Sequence, residues 1–214
     1  MNKYVEYKNR EEWLSAREKS LGASETASAI GRGFSSPIDV WKEKTGKTEK
    51  KDLSDNERVA YGIEAEAYLR ALFALQFKDK YSMEYYPFRV YRHEKFEFLT
   101  ATLDGELVRR ANNKRGIWEC KTAWIMSKAD LERWNDDSIP QHYYVQVCEQ
   151  LNVTGFDFVV LTAQLIFMNG NAEIRHYTIE RAEAQEDIEY IETEAKKFWR
   201  FVEMKKQPPQ KFTL

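Results

Sequence analysis

The feature that most limits what this chain can become is a change of pattern near Met83. Upstream, the sequence reads as helices. Asn9 caps a segment from Arg10 to Ser20, and Ser36-Pro37-Ile38-Asp39 supplies a cap, a first-turn proline and an acidic third position, with Gly46 as the stop. Ser54-Asp55-Asn56-Glu57 has capping-box spacing and opens a long helix to about Phe77. Downstream, Met83 to Tyr91, Phe96 to Ala101, Glu106 to Arg110 and Gly116 to Ala123 are rich in aromatic and β-branched residues and are split by polar turns such as Asn112-Asn113-Lys114. These predict antiparallel strands. Helices over Ser127 to Asn135 and Gln141 to Val153 follow, then a strand from Phe156 to Phe167, a type I′ turn at Asn169-Gly170, its partner from Glu173 to Ile179, and a last helix from Arg181 to Lys206. The order implies an α+β or α/β core in which a helical crossover joins the strand at Gly116 to that at Phe156.

With 214 residues, the chain suits one domain: a helical part to about residue 80, a sheet-bearing core from about 81 to 180, and the closing helix. The 43% hydrophobic and 14% aromatic content can fill its interior, although Trp41, Trp134 and Trp199 are open between core and interface. Two cysteines, Cys120 and Cys148, cannot make a structural zinc site alone or a four-thiolate iron–sulfur site. A polar, charged stretch from Met1 to Arg17 does not resemble a signal peptide, and no run approaches a membrane span, so the expected address is the cytoplasm. Net charge is −2, from 33 basic and 35 acidic residues. That excludes coating of nucleic acid by bulk positive charge but not local contact with phosphate. From Glu84 to Thr122 there are eight basic and six acidic residues. The last helix is segregated: one basic and six acidic residues from Arg181 to Glu194, then six basic and one acidic from Ala195 to Leu214. Such blocks suit a DNA channel, subunit contacts or solvated faces alike.

Three places break the local pattern. In the long helix Val59, Ile63, Leu69, Phe73 and Phe77 form an apolar stripe whose missing position is Glu66. A carboxylate facing an interior needs a cation or donors. In Gly116 to Ala123, alternation puts Glu119 and Lys121 on one face with Ile117 and Ala123, and Trp118, Cys120 and Thr122 on the other. Asp104 stands where an apolar strand ends in a turn, before Gly105. Separately these are a solvated glutamate, a surface ion pair and turn chemistry. Together they make three carboxylates and an ammonium, a set suited to magnesium. Glu66, Asp104, Glu119 and the Cys120 carbonyl would be ligands, with Lys121 orienting or deprotonating an attacking water. The chemistry implied is phosphodiester hydrolysis.

Asp104 followed by Glu119-Cys120-Lys121 resembles the D…ExK signature of the restriction-endonuclease-like, or PD-(D/E)XK, nuclease superfamily. More specifically, the chain resembles the phage exonucleases of the lambda-exonuclease and YqaJ viral recombinase family. Blocks in matching order are Trp13 to Arg17 with Gly22-Ala23-Ser24, Tyr61 to Glu66, Ala101 to Gly105, Trp118 to Lys121, and Tyr144 to Val147. Where the family commonly has Ser-Pro before the metal aspartate, this chain has Thr102-Leu103; Thr102 keeps a hydroxyl suited to phosphate.

The resemblance implies an α/β, restriction-endonuclease-like fold, a central mixed sheet flanked by helices. It implies one or two magnesium or manganese ions on Glu66, Asp104 and Glu119, water assisted by Lys121, and Gln146 near the active site. It also implies Arg17 and Ser24 at the 5′ phosphate of the degraded strand. On their own terms, Arg17 is an ordinary helix arginine with a guanidinium suited to phosphate, Ser24 a helix cap or phosphate ligand, and Gln146 equally an interface or surface residue. The activity implied is processive 5′→3′ digestion of one strand of linear duplex DNA, leaving a 3′ single strand for recombination in a phage or prophage setting within a bacterial host. The implied partners are 5′-phosphorylated duplex ends, a single-strand annealing protein and further copies of the chain in a ring, usually a trimer. An endonuclease or single-strand nuclease on the same core, or a catalytically silent end-binding module, is the alternative.

Overall fold

A computed structural model describes residues 3–49, 55–135 and 138–209. Its elements in chain order are β1 (Lys3–Glu6), α1 (Arg10–Glu18), β2 (Leu21–Gly22), α2 (Ala23–Ala29), α3 (Pro37–Lys44), α4 (Glu57–Gln76), β3 (Tyr81–Glu84) and β4 (Arg89–Arg92). They continue with β5 (Leu99–Ala101), β6 (Gly105–Arg109), β7 (Arg115–Ile125), α5 (Lys128–Glu132), α6 (Gln141–Thr154), β8 (Phe158–Phe167), β9 (Ala172–Glu180) and α7 (Gln185–Glu203). The α/β class holds, with helices around mixed sheets.

There are two sheets where one was expected. Five strands run in the order β3-β6-β7-β8-β9 and four in the order β1-β4-β5-β2. The segment expected as one strand from Met83 to Tyr91 divides between them. Pro87 has no amide hydrogen to donate to a ladder, and β3 joins one sheet while β4 joins the other. The two N-terminal strands β1 and β2 were missed because each is too short to show a period-two pattern. Each pairs with a partner about 80 to 90 residues away in sequence, Lys3 with Arg92 and Leu21 with Leu99.

The expected crossover is present: β7 and β8 pair in parallel from Gly116↔Phe158 to Ile125↔Phe167, with α6 between them in sequence. Gly155 ends α6 at φ +66 and returns its amide to the Leu151 carbonyl at 2.8 Å. Asn169-Gly170 does not form the two-residue type I′ turn. Only Gly170 has positive φ, and the Phe167 amide bonds to the Asn171 carbonyl while Gly170 N bonds to Phe167 O, giving a three-residue loop. The long helix begins at Glu57 behind Asn56, whose side chain accepts from the Arg58 and Val59 amides; Ser54 lies outside the described residues.

The five-stranded sheet carries a core on each face. Trp118, Leu107, Phe158 and Val160 meet Leu69 and Phe73 of α4, and Trp118 is fully buried with its indole N–H on Thr162 Oγ1 at 2.8 Å. Ile117, Val159, Leu161 and Leu165 point the other way, into the larger core with Val147 and Leu151 of α6 and Ile188 and Phe198 of α7. Trp41 and Trp134 belong to this interior, while Trp199 stacks on Phe98 at 4.9 Å. The buried stripe of α4 differs from the one expected: Ile63 is 68% exposed, and Gly62 takes the inward position. A methyl group on Gly62 would stand 3.0 Å from Thr122 Oγ1, so the glycine lets the helix backbone close on β7.

Candidate active site

Register explains why the site lies where it does. β6 pairs with β7 only as far as Gly105↔Trp118. From Glu119 onward β7 has a strand neighbour on one side, β8, and its other edge is open among the described residues. Asp104, one residue before β6, stands at that opening and accepts the Cys120 amide on Oδ2 at 2.9 Å, replacing the ladder bond β6 no longer provides. In a strand, the amide and carbonyl of one residue point to the same side. The Cys120 carbonyl therefore faces the same open edge.

Glu119 and Lys121 project to the α6 side of β7, as alternation predicts. Glu119 is 2% exposed and held by three donors: Lys121 Nζ at 2.5 Å and Gln146 Nε2 at 2.6 Å on Oε1, and Gln150 Nε2 at 2.5 Å on Oε2. Gln150 also donates to the Thr102 carbonyl at 3.3 Å. The family resemblance named Gln146, which the structure places on Glu119, and did not name Gln150. The available signal was their spacing of one helical turn, which places both amides on one face of α6. Burial of Glu119 is supported by charge-assisted hydrogen bonds, the arrangement a buried carboxylate requires.

Glu66 approaches from the other side, on α4, half-buried and paired with the Arg70 guanidinium one turn on; Arg70 in turn lies over the Tyr85 ring at 3.4 Å. The pair fits a partly solvated glutamate met by a cation, yet Glu66 also lies within the field of the other carboxylates. Burial pushes its carboxyl upward, Arg70 pulls it back and Glu119 raises it again. Asp104 is raised well above the ordinary carboxylate range by burial and then by the charges of Glu119 and Glu66. Lys121 is raised: burial opposes its charge, but Glu119 and Asp104 outweigh that and keep the ammonium protonated. Cys120 faces away from Glu119, and burial followed by the Asp104 charge pushes its thiol far above neutrality.

Arg17, Ser24, Thr102 and Gln146 line one recess of about 20 Å³ with Gly22, Ala23, Thr100 and Gln150. Arg17 lies over the Trp13 ring at 4.4 Å, and its pKa is lowered by burial, against the pull of Glu25 and Asp104. Ser24 is not a helix cap: α2 starts at Ala23 behind Gly22, whose amide donates to Glu25 Oε2 at 3.0 Å. Its exposed side chain sits in the first turn beside the recess.

The donor set is chemically right for a divalent cation. Three carboxylates and an edge carbonyl are hard oxygens, and their mutual repulsion is what a cation would relieve. Among the described residues no three His, Cys, Asp or Glu side chains are arranged to hold an ion as they stand, because Glu119 is turned onto its amides and ammonium and Glu66 onto Arg70.

Residues 12–157 match the YqaJ-like viral recombinase domain. The chain belongs to that family. Over 151 residues it is 29% identical to the uncharacterized protein YqaJ of Bacillus subtilis (strain 168), covering 70% of this chain and 44% of that protein. It thus spans less than half the length of this relative. The fold matches an alkaline exonuclease, LHK-Exo, from Laribacter hongkongensis, with a TM-score of 0.67 over 92% of this chain and 94% of that one at 18% identity. The same exonuclease in complex with dAMP gives a TM-score of 0.66 at 18% identity and the same coverage. The YqaJ domain spans every residue of the candidate site, from Arg17 to Gln150.

Proposed function

We propose that this YqaJ-family chain is a divalent-metal-dependent DNA exonuclease that digests one strand of linear duplex 5′→3′, leaving a 3′ single strand for phage-type recombination. The observation that supports this reading is that Asp104 sits at the open edge of β7 on the Cys120 amide, within the electrostatic reach of the Glu119–Lys121 pair and of Glu66, and that a nearby recess holds Arg17 and Ser24. Catalytically silent DNA binding gives no reason to crowd carboxylates beside phosphate, since binding is driven by cations.

Glu66, Asp104, Glu119 and the Cys120 carbonyl would hold magnesium or manganese, as one or two ions. When bound, the metal supplies charge stabilisation at the reacting phosphate and a more acidic water. Lys121, kept as an ammonium by its acidic neighbours, orients the attacking water and donates to oxygens that gain charge. Gln146 and Gln150 hold the Glu119 carboxylate at the site and would yield part of that grip to the metal. Arg17 receives the 5′ phosphate through its guanidinium, with the Ser24 and Thr102 hydroxyls as further donors.

Ring formation, processivity and transfer of the product strand to an annealing protein belong to the same proposal. The outer face of α4 supports assembly, since Ile63, Tyr68 and Leu75 are 68%, 79% and 69% exposed on a helix that is apolar on both sides. A bacterial cytoplasmic site of action is part of the reading; no described helix is long and apolar enough to cross a membrane.

The test is digestion of linear duplexes with 5′ phosphate or 5′ hydroxyl ends, beside closed circles, in magnesium or chelator. Mononucleotide release from the 5′-ended strand in magnesium alone is expected. Nicking of closed circles, or binding without digestion in magnesium and manganese, refutes the exonuclease reading.

A further inference from the structure

We propose that Phe34 is a base-stacking residue that receives a nucleobase of the DNA strand close to the reacting phosphate. The inference rests on the nuclease reading above and adds to it a contact with the base.

Phe34 is 84% exposed, the most exposed large apolar side chain among the described residues. It is not on a loose tip. The segment from Gly31 to Ser36 joins α2 to α3 and is pinned back on α2: the Arg32 amide donates to the Ala27 carbonyl at 2.7 Å and the Ser35 amide to Ser28 Oγ at 3.3 Å. A Cβ on Gly33 would stand 2.5 Å from the Ser28 backbone nitrogen, so only glycine permits this close approach. The loop spends its tight packing on holding a phenyl ring out in water. A ring presented rigidly to solvent suits a ligand with a flat apolar face.

The direction in which Phe34 is held identifies that ligand. Its ring contacts His142 with centroids 4.2 Å apart, His142 contacts Tyr143 at 4.0 Å, and Lys121 Nζ lies 5.2 Å from the Tyr143 centroid. Three short steps therefore lead from the exposed ring to the ammonium of the site, along the first turn of the helix that carries Gln146. His142 stays neutral, because burial and then the Lys121 and Arg133 charges push its pKa down to about 4. The side chains that link Phe34 to Lys121 are thus aromatic and uncharged. Every nucleobase has a π face, and stacking on a side chain tolerates any base. That fits an enzyme that must hold whichever base comes next, whereas hydrogen bonding to base edges would make it sequence-dependent.

The experiment places 2-aminopurine at each of the first four positions from a 5′-phosphorylated duplex end and titrates wild type, Phe34→Ala, Phe34→Trp and Arg32→Ala in calcium, before a parallel digestion assay in magnesium. Wild type should change the fluorescence at a particular position. Phe34→Ala should abolish that change and weaken end binding about ten-fold, the weight of one stacked base, without altering the slope of log affinity on log salt. Arg32→Ala, an exposed cation on the same loop, provides the contrast by lowering that slope. Phe34→Trp should restore both fluorescence change and affinity, and all variants should melt as wild type does. Unchanged binding and fluorescence in Phe34→Ala overturn the proposal while leaving the nuclease reading standing. A loss that Phe34→Trp fails to restore, or that accompanies a lower melting temperature, assigns the ring to loop packing and also overturns it. Wild type that neither binds nor digests DNA ends refutes the nuclease reading itself.

Discussion

Glu149 lies on α6 between the two glutamines that grip Glu119, yet its own carboxylate is fully buried, and its one polar neighbour, the Asn152 side-chain amide, stands outside good hydrogen-bond geometry. Burial raises its pKa from an ordinary 4.5 to about 8; the nearby Asn152 amide pulls it down, and Glu192 on α7 pushes it up. Each tenfold change in proton affinity is worth about 1.4 kcal/mol, so this rise corresponds to about 5 kcal/mol of preference for the protonated form in the folded state. The sign follows from linkage. Between pH 4.5 and about 8 the folded chain keeps a proton that the unfolded chain has released, so rising pH draws the equilibrium towards unfolding across that window and has little further effect through this group above it. Glu149→Gln keeps the shape and cannot release a proton. Urea unfolding from pH 5 to 8 should therefore show Glu149→Gln gaining on wild type by about 3 to 4 kcal/mol across the range. Any cost of the buried amide is a constant offset. Parallel pH profiles for the two proteins would refute the reasoning and mean that water or a cation reaches the carboxylate.

Three further outcomes follow from the geometry. Gly116→Ala would place a methyl 2.3 Å from the Phe158 ring inside the β7–β8 ladder; overpacking of this kind costs about 1 to 3 kcal/mol, and a melting temperature equal to wild type would contradict the packing described. Magnesium at about a hundred times its dissociation constant should stabilise the fold by about 2.7 kcal/mol in thermal or urea melts, and Asp104→Asn should remove most of that gain; equal stabilisation of the variant would take Asp104 out of the metal site. Arg17→Ala should lower the preference for 5′-phosphorylated over 5′-hydroxyl ends in initial digestion rates, and an unchanged ratio would dismiss Arg17 as the phosphate ligand.

Much of the fold was legible because long elements carry their own signals. The capping box of Ser36 and Asp39 is present, with the Asp39 amide on Ser36 Oγ at 3.2 Å, and the β7–α6–β8 crossover follows from the order of apolar runs and turns. What was not legible depends on partners distant in sequence. A two-residue strand such as β2 exists because Leu99 and Thr100 of β5 lie alongside it. Ile63 and Gly62 exchanged places because an apolar count cannot sense that the close approach of Thr122 admits only a small residue. The turn at Gly170 went wrong by one residue, since Asn-Gly serves both two-residue and three-residue hairpin loops and the ladder beyond decides between them.

The site shows the same division at a finer scale. Glu119 and Lys121 were assigned to one face by strand alternation alone, but nothing local says that β6 must end at Gly105 and leave the far half of β7 unpaired. Asp104 does both things at once. One oxygen takes the Cys120 amide that β6 would otherwise have engaged, on the edge where the Cys120 carbonyl also points. An exposed strand edge is ordinarily a hazard, because its free amides and carbonyls invite another strand. Here the edge is blunted by a carboxyl that satisfies the first open amide and whose ionisation is opposed by burial and by Glu119 and Glu66, an imbalance that favours a cation over a β-strand. In the proposed metal site, ending a strand and building the site would be one structural event, with Asp104 before Gly105 serving as turn and ligand together. For that reason the turn-chemistry explanation of Asp104 and the catalytic one are not rivals, and a motif as short as D…ExK carries information only when the open edge between its two halves is present.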